Sequence, residues 1–121
     1  MKFRIFDKQE KKYVSNDNIV LKTDGLLYRV IVRGVIEFLE LDPDRYVVEF
    51  STGLKDKNGV EIFEGDVLKD DNYDEQFAVE YAKHLAGYVG YGDSRVSGCY
   101  IITGEDIEII GNIHGDENGK D

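Results

Sequence analysis

The run Asp70-Asp71-Asn72-Tyr73-Asp74-Glu75 carries carboxylates at a density that could hold a hard cation such as Ca²⁺. An EF-hand-type loop needs Gly at its sixth position for the sharp turn and Glu at its twelfth as bidentate ligand. Counted from Asp70, those places hold Glu75 and Tyr81, so the run predicts a solvated acidic loop and no metal site. His84 and His114 are the two histidines, with the single cysteine, Cys99, between them. A zinc site wants three or four nitrogen or sulfur ligands in paired spacing, and no Cys-x-x-Cys, His-x-x-x-His or His-Glu-x-x-His is present. Cys99, followed by Tyr100-Ile101-Ile102, reads as a small buried hydrophobe, and a Cys–His nucleophile would lack its third, orienting group.

Gly87-Tyr88-Val89-Gly90-Tyr91-Gly92-Asp93 has the glycine density of a phosphate cradle. Such cradles open a helix, and the P-loop form adds Gly-Lys-Ser/Thr; neither a helix pattern nor a lysine follows here. A hairpin tip is predicted instead, presenting Tyr88 and Tyr91, a residue type enriched at interface hot spots. Tyrosine in a sheet equally serves cross-strand packing. The candidates for partner binding are therefore Tyr88 and Tyr91, with the carboxylates of Asp70, Asp71, Asp74 and Glu75. No catalytic residue, cofactor or metal ligand set stands out, and a non-catalytic role is expected.

The elements that would position these residues are strands. Lys2 to Asp7 alternates polar with apolar, a period of two, and Lys12-Tyr13-Val14 can return beside it. Ile19-Val20-Leu21 ends at a Thr23-Asp24-Gly25 turn, and Leu27 to Val32 is rich in β-branched and aromatic residues. Gly34 reads as a bulge or bend. Val35 to Leu41 fits strand or short helix, and Asp42-Pro43-Asp44-Arg45 is a turn leading to the strand Tyr46 to Phe50. Lys57-Asn58-Gly59-Val60 reads as a hairpin with Asn58-Gly59 in a type I′ turn. Around it, Lys55, Asp56 and Lys57 are expected to face solvent, and Val60, Ile62 and Val67 to enter the core. Gln76 to Ala82 is read as a strand, with helix over Glu75 to Leu85 as the alternative. Cys99 to Ile102 and Ile107 to Ile110 complete the set. Short strands at such spacing predict an all-β roll or small barrel.

A chain of 121 residues with 41% hydrophobic content can bury a core without staples. The net charge of −10 works against phosphate backbones and anionic lipid heads, so direct nucleic-acid and membrane binding are not expected. One cysteine forms no intramolecular disulfide, pointing to a reducing compartment. The longest apolar-rich run, Leu26 to Leu41, is interrupted by Arg29, Arg33, Glu37 and Glu40 and falls short of a membrane span.

Three blocks resemble the YopX family of bacteriophage and prophage proteins. They are Lys2-Phe3-Arg4-Ile5-Phe6-Asp7 with Lys11-Lys12, then Thr52 to Gly59 leading to Glu61-Ile62-Phe63-Glu64-Gly65-Asp66-Val67, then Asp106 to His114. Phe6 stands where the family usually has Trp, and His114 where Tyr is common. The resemblance implies an SH3-like barrel in the carboxy-terminal half, and with the strand pattern the expected organisation is an N-terminal β module over 1–48, the barrel over 49–114 and a frayed acidic tail over 115–121. The resemblance implies no activity, cofactor or catalytic residue. The expected role is an accessory protein-binding module in the cytoplasm of a bacterial host, docking a host or phage protein or associating with itself. The alternative is an acidic nucleic-acid mimic, with Asp70, Asp71, Asp74, Glu75, Glu105, Asp106 and Glu108 aligned as a phosphate-like stripe.

Overall fold

The computed structural model describes residues 2–72, 75–83, 86–92, 100–102 and 105–115. The protein is all-β, with twelve strands among the described residues: β1 (Phe3–Asp7), β2 (Lys12–Val14), β3 (Ile19–Leu21), β4 (Leu27–Val32), β5 (Ile36–Glu40), β6 (Tyr46–Lys55), β7 (Glu61–Phe63), β8 (Asp66–Asp70), β9 (Gln76–Ala82), β10 (Gly87–Tyr91), β11 (Tyr100–Ile101) and β12 (Ile107–Asn112). Both segments that sequence left open, 35–41 and 75–85, supply strands (β5 and β9). Two compact units divide the chain: residues 4–48, and residues 1–3 with 49–121. The boundaries fall inside β1 and β6.

In the unit of residues 4–48, β1 pairs antiparallel with β2, and β3-β4-β5 form a three-stranded meander. The β1–β2 turn is organised by Asp7, which is 2% exposed. Its carboxylate accepts from the backbone N–H of Gln9 and Glu10 and from Nε and Nη2 of Arg45, at 2.9 and 2.7 Å. The Arg45 hydrogen bond, helped by those two backbone donors, holds the Asp7 carboxyl at about 2, against its usual 3.8. A folded value below the unfolded one stabilises the fold fully above the ordinary carboxylate range, and that contribution disappears as pH falls through about 2. In Arg45→Met the Asp7 carboxyl should titrate closer to 3.8, as followed by carboxyl-carbon NMR. The stability gap between wild type and variant should be open at neutral pH and close on acidification. An unchanged Asp7 titration would contradict this account.

The other unit holds the five-stranded antiparallel sheet β11-β10-β9-β8-β12 and the β6–β7 hairpin. Its core is Ile62, Leu68, Val79, Ile102 and Ile107, with Tyr88 and Ile109 packed against it. Alternation accounts for the placement: β8 reads Asp66, Leu68 and Asp70 inward, with Val67 and Lys69 half-buried between them. Of the three residues expected in the core, Ile62 is fully buried and Val67 is half-buried, whereas Val60 is 53% exposed.

The loop joining β6 and β7 also departs from expectation. Gly59 N–H donates to Asp56 C=O, and Asp56 N–H donates to Val60 C=O. Gly59 alone has positive φ, at 82°, and Asn58 does not. This is a type I turn followed by a left-handed glycine, the three-residue hairpin loop, in place of the type I′ turn. The cause is Asp56, whose side chain occupies the inside of the loop.

Candidate functional site

The chemistry-bearing groups of the larger unit are buried carboxylates that bind backbone. Asp56, read from sequence as solvent-facing, is 6% exposed. Its Oδ1 accepts from the N–H of Asn58 and Val60, both at 2.9 Å, and its Oδ2 accepts from Ile109 N–H of β12 at 3.1 Å. Lys57 N–H adds a bond to Ile107 C=O. The hairpin loop is thus fastened to β12 through one carboxylate and one amide.

A second cluster lies where β6, the β7–β8 turn and the end of β12 meet. Glu49 is 3% exposed, and its Oε2 lies 2.6 Å from His114 Nε2. A carboxylate–imidazole pair can share or relay a proton, but here Gly65 closes over it. A Cβ on Gly65 would come within 2.5 Å of that same Oε2, and its φ is +85°. Around the pair, His114 N–H donates to Asn112 Oδ1, Phe63 N–H to Asp66 Oδ2, and Ile113 N–H to Gly65 C=O. The arrangement is a structural clasp that ties β6, the β7–β8 turn and the end of β12 together.

The acidic candidates separate. Asp70 is not in a solvated loop: it ends β8, is 5% exposed, and accepts from Asn72 N–H and Nδ2. Asp71 is exposed and lies 3.2 Å from Lys57 Nζ, which also reaches Glu108 at 3.8 Å. The Asp71 hydrogen bond pushes the Lys57 ammonium above its usual value. Asn72 Nδ2 ties Asp106 to the same corner. Glu75 is half-buried, its carboxylate lying over Gly92. Asp74, His84, Cys99 and the tail from 116 onward lie outside the described residues.

Tyr88 and Tyr91 are not at a hairpin tip. Both belong to β10, which pairs with β9 and β11, and both are half-buried. Tyr88 stacks edge-on with Tyr81, ring centroids 5.2 Å apart, and burial pushes its hydroxyl pKa up. Cross-strand packing explains Tyr88.

The surface feature that sequence reasoning missed is the β4–β5 hairpin. Every residue of β5 is exposed. Val32, Val35, Ile36, Leu39 and Phe38 stand 72%, 65%, 64%, 56% and 49% exposed. Lys22 Nζ sits 4.2 Å over the Phe38 ring and 4.4 Å over that of Tyr28. The register pairs Val30 with Phe38 and Val32 with Ile36 on one face, and Arg29 with Leu39 and Ile31 with Glu37 on the other. The signal was there: from Leu27 to Leu41, apolar residues occupy both odd and even positions, so neither face is polar throughout. A pocket of about 200 Å³ opens at the hairpin's base, lined by Leu27, Leu41, Pro43 and Tyr46 among others.

Two solved structures share this architecture. Protein EF1440 from Enterococcus faecalis is 30% identical, with 97% of this chain and 94% of that one covered at a TM-score of 0.57. Protein YopX from Bacillus subtilis is 14% identical, with 93% and 91% covered at a TM-score of 0.51. No functionally curated protein matches. The family model described as YopX protein matches residues 2–118, and the chain belongs to the YopX family.

Proposed function

We propose that this chain is a non-catalytic protein-binding module, a phage or prophage accessory protein of the bacterial cytoplasm. The observation that carries the reading is the β4–β5 hairpin, whose large aliphatic and aromatic side chains stand in solvent while the rest of the chain supplies a charge of −10. Contiguous exposed apolar surface of this kind marks a place that protein covers. The buried carboxylates favour the same reading, because Asp7, Asp56, Asp66 and Asp70 each accept from backbone N–H groups that the fold itself presents, Asp7 also from Arg45 and Asp70 also from the Asn72 side chain.

The nucleic-acid mimic draws less support. Asp71 and Glu108 gather around a lysine, and Asp70 turns into the fold, so the acidic corner is neither continuous nor wholly anionic.

Affinity purification from host lysate, at two salt concentrations, tests the binding reading with wild type beside Phe38→Glu. A stoichiometric protein that wild type retains and Phe38→Glu loses is the expected result. Equal capture by both, or no enrichment together with turnover of a substrate panel, removes the proposal.

A further inference from the structure

We infer that a second copy of this chain docks along the open edge of β5, antiparallel, about a two-fold axis at Phe38. This rests on the reading of the hairpin as a binding surface, and it names the occupant.

The first argument is the edge itself. In the order β3-β4-β5 the outer side of β5 has no strand beside it among the described residues. Natural sheets guard such edges with charged side chains, lysine above all, or with proline, bulges or short length, and β5 carries two charges, Glu37 and Glu40. Residues 36–40 contain no Lys or Pro, and their pairing with β4 runs through five consecutive registers without a bulge.

The second argument is the direction of the backbone groups. Leu41 N–H donates to Leu27 C=O at one end of the hairpin, and Arg33 N–H donates to Val35 C=O at the other. Alternation along an antiparallel ladder then turns the N–H and C=O of Leu39 and Glu37 toward β4. Those of Ile36, Phe38 and Glu40 point outward. A second β5 running antiparallel can bond all three only when outward residues face outward residues. Centring on Phe38 does this: Phe38 faces Phe38, and Ile36 faces Glu40, over the full strand. Shifting by two residues toward the turn brings Glu37 opposite Glu37, a like-charge pair that destabilises.

The third argument is charge, and it favours this segment over the rest of the surface for contact with a second copy. Two chains of net charge −10 repel one another over most of their surfaces. Within 27–41 the charged residues are Arg29, Arg33, Glu37 and Glu40, two of each sign, so this segment is locally neutral. In the Phe38-centred register one face carries the apolar row Val30, Phe38, Phe38, Val30. The other carries Arg29 and Leu39 of one copy beside Glu37 and Ile31 of the other. Arg29 and Glu37 then stand two strand spacings apart, about 10 Å between backbones, within reach of the two long side chains across Leu39.

The test is the mass in solution of the full chain. Sedimentation equilibrium should give twice 13.8 kDa at micromolar concentrations. Phe38→Pro removes an outward N–H that the intramolecular ladder does not use, so circular dichroism should stay native. Its dimer dissociation constant should rise at least about 100-fold, the loss expected of a central hot spot. Phe38→Lys and Phe38→Glu should each be monomeric for want of a tolerable self-pair, and an equimolar mixture should recover the dimer. Should Phe38→Pro misfold, the charge-swap pair carries the test alone. A monomeric wild type, a Phe38→Pro variant that still dimerises, a mixture that stays monomeric, or a trimer or larger ring would overturn the proposal. A monomeric wild type that nonetheless retains a host protein through Phe38 overturns the dimer and leaves the binding reading standing. Loss of both results removes both.

Discussion

Asp56→Ala should destabilise the protein by on the order of 3 kcal/mol, read as a lower urea midpoint at unchanged slope. Three backbone N–H groups lose one charged acceptor: Asn58 and Val60 inside the hairpin loop, and Ile109 on β12. Each buried donor left without a partner costs about 1–3 kcal/mol, and relaxation of an exposed loop recovers part of that. Amide exchange should accelerate at all three residues, including Ile109, which lies far from the substitution in sequence. Asp56→Asn keeps one acceptor oxygen and should cost about half as much. A loss under 1 kcal/mol for the alanine variant, with protection retained at Ile109, would show that the carboxylate is not what joins loop to strand.

Gly65→Ala should be nearly as damaging, by about 3 kcal/mol, through two effects that can be separated. A left-handed non-glycine residue costs about 1–2 kcal/mol. The new methyl would also stand where Glu49 Oε2 now lies, 2.5 Å away, and displace the carboxylate from His114. A hydrogen bond involving an ionised group contributes about 1.5–3 kcal/mol. Gly59→Ala is the control. Its φ of +82° is nearly the same, but nothing lies within 4 Å of its Cβ position, so it should lose only the conformational part, about 1 kcal/mol. His114→Ala combined with Gly65→Ala should cost less than the sum of the two, because the first change has already opened the pair the second removes. Equal losses at Gly65 and Gly59, or full additivity with His114→Ala, would refute the clasp.

These two sites also show why the sequence spoke clearly about fold and little about function. The second and third blocks of the family resemblance are the parts that bond to one another: Asp56 and Lys57 to Ile109 and Ile107, Gly65 to Ile113. Their residue types answer to backbone donors and a left-handed glycine, which are demands of architecture. The strands were legible because period-two alternation and turn residues are local signals. Asp56, by contrast, reads as solvent-facing in the sequence because its third donor comes from β12, and no local rule carries that information. Tyr88 reads as a hairpin-tip residue for a similar reason: Gly87 and Gly90 suggest a turn, whereas the strands flanking them on both sides make a sheet. At Leu27 to Leu41 the mixture of apolar residues on both parities was visible and ambiguous. Only the sheet order shows that β5 is an edge.

The division of the chain has a consequence for its synthesis. Within residues 4–48 the β1–β2 and β3-β4-β5 pairings join neighbours in sequence. Such local topology forms early and quickly. The larger unit cannot finish in that order, because β8 is flanked by β9, which follows it at once, and by β12, the last strand among the described residues. At translation speeds of about 5–20 residues per second, one side of β8 and the donor site for Asp56 wait on the order of seconds for Ile107–Asn112. Through that interval one margin of β8 stays open until β12 closes it, whereas no later strand among the described residues closes the outer margin of β5.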